Sequence, residues 1–130
     1  MKVLVCGGRD FNDEKTVFDY LDNIHRRTPI ANVISGAARG ADLLGEKWAT
    51  SKGVSIQRFP ANWDKLGKKA GFLRNQQMID EGHPDLVIAF PGGRGTQDMV
   101  DRAKRHKIPV QQVVHPLRKE QKTSFLAQYR

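Results

Sequence analysis

Leu86-Val87-Ile88-Ala89-Phe90-Pro91-Gly92-Gly93-Arg94-Gly95-Thr96 is the stretch on which the reading of this chain turns. Leu86 to Phe90 has the length and the apolar, β-branched composition of a buried strand, and helical character resumes from Gln97 to His106. The glycines therefore occupy a strand-to-helix turn. The first N–H groups of a helix have no partner within it. They point outward with the positive end of the helix dipole, and glycines let an anion come close to the main chain. Thr96 adds a hydroxyl donor and Arg94 a charged fork. A single Gly-Gly would suit plain packing of strand on helix. Three glycines, a proline and a threonine in six positions read as a phosphate cradle.

Working outward, the remainder alternates strand and helix. Lys2 to Cys6 reads as a first strand bounded by Gly7-Gly8. Asn12 or Asp13 offers a cap for a helix from Glu14 to Arg27, whose apolar stripe is Val17, Phe18, Leu21 and Ile24 and which Pro29 ends. Ile30 to Ile34 is a second strand and Ala41 to Ser51 a second helix, packing Leu44 and Trp48 and closed by Gly53. Val54 to Phe59 is a third strand, followed by an irregular region around Trp63. Ala70 to Glu81 is a third helix, Leu86 to Phe90 the fourth strand, Gln97 to His106 the fourth helix and Pro109 to Val113 the fifth strand. Strict alternation implies right-handed crossovers and a parallel sheet covered on both faces. The expected fold is α/β, a single Rossmann-like domain with a five-stranded parallel sheet in the order 3-2-1-4-5. Residues 1–114 make the domain and 115–130 a basic C-terminal tail.

In such sheets ligands bind beyond the carboxyl ends of the strands where the order reverses. Three turns meet there. Gly7, Gly8 and Arg9 follow the first strand. Ser35, Gly36, Ala38, Gly40 and Asp42 span the turn after the second. Pro91, Gly92, Gly93, Arg94, Gly95 and Thr96 follow the fourth. None of the three matches G-x-G-x-x-G or the Walker A pattern. Arg74 and Asn75, early in the third helix, complete the candidate ligand contacts. Trp63 and Phe72 offer stacking faces for a base, with core packing as the alternative, and Asn62 and Asn75 are candidate readers of a base edge.

Composition narrows the function classes. The chain has 130 residues, 38% hydrophobic and 28% charged, which suits one soluble globular domain, and no apolar run approaches the ~20 residues that span a bilayer. A cytoplasmic location is expected, with no membrane partner. The lone Cys6 excludes an internal disulfide and reads as a small buried hydrophobe. His25, His83, His106 and His115 lack metal-ligand spacing, so no metal and no cofactor are expected. The net charge of +8 suits a phosphorylated or polyanionic partner, or solubility alone. Nucleic acid is not favoured, because no basic motif is interleaved with aromatic residues.

Gly7-Gly8-Arg9-Asp10, Ser35 through Asp42, Ala70-Gly71-Phe72-Leu73-Arg74-Asn75-Gln76-Gln77-Met78 and Pro91 through Thr96 together resemble the SLOG superfamily, in its YspA/YpsA-related branch. The resemblance runs from about residue 1 to 113. It implies a Rossmann-like fold and a nucleotide-derived ligand. The superfamily includes the Lonely guy phosphoribohydrolases, which cleave the N-glycosidic bond of nucleoside monophosphates, and DNA-processing members that bind single-stranded DNA. Its enzymes carry PGGxGTxxE and an Arg-Lys pair followed by Met. Arg74 and Met78 match the second pattern, with Asn75 in place of the lysine; in the first, Met99 stands where the glutamate would be.

That departure bears on chemistry. Glycosidic cleavage passes through an oxocarbenium-like state that a carboxylate stabilises and a thioether does not. Asp98 points about 100° away around the helix from position 99. Asp42 or Asp10 are the substitutes, each equally suited to capping a helix or holding an arginine; Arg74 and Asp42 are the catalytic candidates. The expected function is binding of a nucleotide or nucleotide-derived small molecule by a sensor, carrier or sequestering protein. A nucleoside-monophosphate N-glycosidase with a displaced acid and a single-stranded nucleic-acid binder are the alternatives. A homodimer or higher oligomer would use Trp48, Phe72 or Phe125.

Overall fold

The computed structural model describes residues 1–114. The tail from 115 to 130, with its candidate interface residue Phe125, lies outside the described residues. Five strands, β1 (Lys2–Cys6), β2 (Asn32–Ser35), β3 (Ser55–Arg58), β4 (Leu86–Ala89) and β5 (Val110–Gln112), form one parallel sheet in the order β3-β2-β1-β4-β5. The helices are α1 (Glu14–Arg27), α2 (Ala41–Lys52), α3 (Trp63–Leu66), α4 (Ala70–Gly82) and α5 (Arg94–Arg105). The α/β Rossmann-like fold and strand order expected from the alternation are both present.

Side chains of β1 alternate between two cores, as the pleat of a strand requires. Val3 and Val5 face α1 and α2, packing with Val17, Leu21, Ile24 and Trp48. Leu4 and Cys6 face α4 and α5, packing with Met78, Ile79, Met99 and Val100. Because β1 and β4 pair in the middle of the sheet and are apolar on both faces, they anchor both layers. Burial of each large aliphatic side chain contributes roughly 1.5–3 kcal/mol, so this double-sided centre dominates stability.

Local signals set the helix ends. Asp13 caps α1, its carboxylate accepting from the Thr16 N–H at 3.1 Å and the Thr16 hydroxyl at 2.7 Å. Gly53 closes α2 in the left-handed conformation, φ +69. Three expectations change. The last helix begins at Arg94 rather than Gln97: Gly93 is its N-cap and the Gln97 N–H donates to the Gly93 carbonyl at 3.0 Å, which puts Arg94, Gly95 and Thr96 in the first turn. The region after β3 is not irregular, because Asn62 caps α3 through the Lys65 N–H at 3.1 Å and a 3-10 turn, Gly67–Lys69, joins it to α4. Trp48 is fully buried, its indole N–H donating to Asp22 at 2.8 Å, so it packs the core and is no interface residue.

The turns at the carboxyl ends of the strands are fastened to one another by main chain. The Gly8 N–H donates to the Pro91 carbonyl at 2.8 Å, and the Gly8 carbonyl accepts from Ala41 at 3.2 Å. This brings Gly40 so close that an added Cβ would lie 2.2 Å from the Gly8 oxygen, at a φ of +83. Gly40→Ala is expected to cost at least about 2 kcal/mol in urea unfolding, strain plus displacement of the Gly8 loop. Gly53→Ala, at a similar φ but in open space, is the control and is expected to cost about 1 kcal/mol. Equal costs would show that the contact with Gly8 is immaterial.

Candidate functional site

A cleft of about 360 Å³ opens where the sheet order reverses, above the carboxyl ends of β1 and β4. Its volume falls in the range of small-molecule sites. The floor is Cys6, Gly7 and Gly8 from the end of β1, with Met78 from α4. On the β2 side stand Ala38 and Asp42. On the β4 side stand Gly93, Arg94, Gly95 and Thr96, the cap and first turn of α5. Arg74 and Asn75 from α4 form the back, and Arg9, Trp63, Lys68 and Phe72 the rim.

Eleven of the sixteen expected contact residues therefore line one cleft, and five do not. Ser35 is fully buried: its hydroxyl donates to Glu46 at 2.6 Å and accepts from the Ala37 N–H at 3.0 Å, which shapes the β2 turn. Gly36 is buried beneath Arg74, accepting a hydrogen bond from the Arg74 Nη1. Gly40 is consumed by its approach to Gly8, and Pro91 and Gly92 face a separate groove toward β5.

Arg74 is the most constrained cation of the cleft. Its Nη1 donates to the Gly36 carbonyl and its Nε to the Asn75 side-chain oxygen at 3.2 Å. It pairs with neither Asp80 nor Glu81, since both lie further along α4, away from the β2 turn. Burial lowers its pKa, the Asp42 charge opposes that and Arg9 adds to it. Asn75 is no reader of a base edge: its amide N–H groups go to the Gly95 carbonyl at 3.1 Å and Asp98 at 3.0 Å, tying α4 to the first turn of α5. Asn62 is likewise spent, as the cap of α3.

Two acids are excluded as cleft carboxylates. Asp10 is solvated and paired with Arg39 at 3.2 Å. Asp98 is engaged by Asn75 and by Arg102 at 2.7 Å. Met99 packs among Leu4, Cys6 and Val100, outside the cleft. Asp42 is the acid that lines it. It is 6% exposed, and burial pushes its pKa up to about 6, against the opposing Ala38 N–H at 3.2 Å and Arg74. Burial also pushes the Cys6 thiol far up, aided by Asp42, so it stays protonated and inert.

Trp63 and Phe72, 46% and 40% exposed, keep their faces at the rim, and the Arg9 guanidinium lies over the Trp63 ring at 5.0 Å from its centre. Sequence reasoning missed Cys6, Lys68, Gly71 and Met78. Gly71 and Met78 lie one turn from Arg74 and Asn75, so helical spacing would have found them; Lys68 depends on the 3-10 turn, which has no clear sequence signal. Among the described residues no group of three or more His, Cys, Asp or Glu side chains is placed to hold a metal, and no helix is long and apolar enough to cross a membrane.

The family model of the YspA, cpYpsA-related SLOG family matches residues 1–66, half of the chain. The Gene 61 protein of Mycobacterium phage D29 is 39% identical over 117 residues, 84% of this chain and 93% of that protein. The chain belongs to the YspA, cpYpsA-related SLOG family. Solved structures share the SLOG protein's fold at low identity. DNA processing protein A from Streptococcus pneumoniae matches with a TM-score of 0.71 at 18% identity, over 98% of this chain and 56% of that one. UDP-GlcNAc 2-epimerase from Neisseria meningitidis, bound to UDP-GlcNAc, matches with a TM-score of 0.55 at 17% identity, over 95% and 35%. This SLOG chain thus spans about half and about a third of those two chains.

The raised pKa of Asp42 makes a pH prediction for the SLOG protein. The folded state favours the protonated acid, so this group's contribution to stability is full below the ordinary carboxylate range and is lost as pH rises through about 6. Asp42→Asn, which keeps the acceptor and removes the charge, is expected to gain on the wild type between pH 4 and 7 by on the order of 3 kcal/mol. Urea unfolding of both proteins across that range measures it; a stability difference that stays constant with pH would contradict the assignment.

Proposed function

We propose that this cleft binds a nucleotide or nucleotide-derived small molecule, in a sensor, carrier or sequestering protein. The observation that carries the reading is the chemical contrast within one cleft: among the described residues, four cationic side chains, Arg9, Lys68, Arg74 and Arg94, line it against the single carboxylate of Asp42. The phosphate is taken by the first turn of α5, where the N–H groups of the opening residues have no helical partner and Thr96 and Arg94 add donors. The base stacks on Trp63 or Phe72 at the rim. Asp42, deep in the cleft, is suited to accept from ribose hydroxyls. The shared fold supports a nucleotide-related ligand: one solved protein that has it is named for DNA processing and another was solved with UDP-GlcNAc.

Asp42 also favours a second reading, a nucleoside-monophosphate N-glycosidase. A buried acid with its pKa raised to about 6, beside Arg74, is suited to stabilise an oxocarbenium-like state. Binding is preferred, because Met99 keeps a carboxylate from the position where the superfamily's enzymes have glutamate.

Calorimetric titration with a panel of nucleoside monophosphates, with free base followed chromatographically, separates the two readings. Saturable binding without base release is expected, and Thr96→Val should weaken it by about tenfold, the worth of one charge-assisted hydrogen bond. Release of free base that Asp42→Ala abolishes would replace binding with hydrolysis; the absence of any binding would overturn both.

A further inference from the structure

The arginines lining the cleft differ from those on its flanks. Arg39, Arg58 and Arg102 each close onto a carboxylate, of Asp10, Glu46 and Asp98, at 3.2, 3.0 and 2.7 Å. Arg9, Arg74 and Arg94 make no ion pair among the described residues. These three fall into two groups. Arg94 belongs with Thr96 to the first turn of α5, on the β4 side. Arg9 and Arg74 belong together: the Arg9 guanidinium lies over Trp63, and the Trp63 ring edge reaches Gly71, one turn before Arg74 on α4, at 3.2 Å from the position of a Cβ there.

Neither cation of that pair is free to avoid the other at no cost. Arg74 is held by the Gly36 carbonyl and the Asn75 oxygen, with its Nη2 making no hydrogen bond among the described residues. Arg9 is held over an aromatic face; burial disfavours the charge of Arg74, Asp42 opposes that, and Arg9 adds a smaller repulsion. Asp42 is the carboxylate whose charge acts on both, but Lys68 lines the same cleft, and one carboxylate against Arg9, Arg74 and Lys68 leaves the group net positive; an anion shared by Arg9 and Arg74 relieves that excess.

We infer that the cleft has two anion subsites, one at the first turn of α5 and one shared by Arg9 and Arg74, and that its ligand carries a second phosphoryl group, as in a nucleoside diphosphate or a pyrophosphate-linked nucleotide. The inference rests on the nucleotide-binding reading and adds a charge requirement to it. Lys68, on the same rim, reinforces the second subsite. Asp42 sets the limit: it faces the same cleft, and its charge keeps a third phosphate from settling deep within it.

Titration calorimetry of the full chain with AMP, ADP and ADP-ribose tests this. ADP and ADP-ribose are expected to bind at least about tenfold more tightly than AMP, as a further charge-assisted contact would give. Arg9→Gln should reduce that preference to within about twofold, and Arg9→Lys should keep most of it. Arg9 is exposed, so both variants are expected to fold, and unchanged unfolding curves verify it. Equal affinity for AMP and ADP, or an Arg9→Gln variant that weakens both by the same factor, removes the second subsite and leaves nucleotide binding standing. Failure of all three nucleotides to bind overturns the second subsite together with the reading beneath it.

Discussion

The site depends on the backbone of one residue. Gly8 gives its N–H to Pro91 after β4 and its carbonyl to Ala41 at the start of α2, so the turns after β1, β2 and β4 are one hydrogen-bonded unit rather than three loops. The double-sided core of β1 and β4 brings the strand ends together, but it does not decide how the turns above them sit. Gly8 does. The approach of Gly40 to the Gly8 oxygen fixes where α2 begins, and with it where the Asp42 carboxylate stands.

Across the cleft, side chains do the corresponding work. Asn75 joins Arg74 to the Gly95 carbonyl and Asp98, so the back wall and the first turn of α5 are positioned by one buried amide. A lysine here, as in the superfamily's enzymes, would add a charge but could not both accept from Arg74 and donate to Gly95. The substitution of Asn75 and the burial of Met99 point the same way. At the positions where the superfamily's enzymes have a lysine and a glutamate, Asn75 fixes Arg74 and α5 and Met99 packs the core.

The strand order was legible because β1 and β4 are continuous apolar runs and every crossover carries a helix of ten or more residues or a clear turn. Most cleft residues were legible because glycine turns at strand ends have a narrow range of uses. The failures share a cause. Trp48 as an interface residue, Asn75 and Asn62 as base readers and Asp10 as an acid each rest on side-chain chemistry alone, whereas each is engaged within the fold: by Asp22, by Gly95 with Asp98, by Lys65 and, in the arginine-holding role open to Asp10, by Arg39. Those partners are 26, 20, 23, 3 and 29 residues away, and only the contact three residues away follows local spacing. The start of α5 was misplaced because glycines are poor helix formers, and the cap at Gly93 overrides that preference.

The central claim is that turns from three strands and the rim of α3 and α4 contact a single nucleotide. Amide chemical-shift mapping during titration with ADP tests it most directly. Saturable shifts of Gly95, Thr96 and Ala38 with the Trp63 indole N–H, all following one binding curve, are what the account predicts. Shifts confined to the groove beside β5, or separate curves for the α5 turn and Trp63, would contradict it.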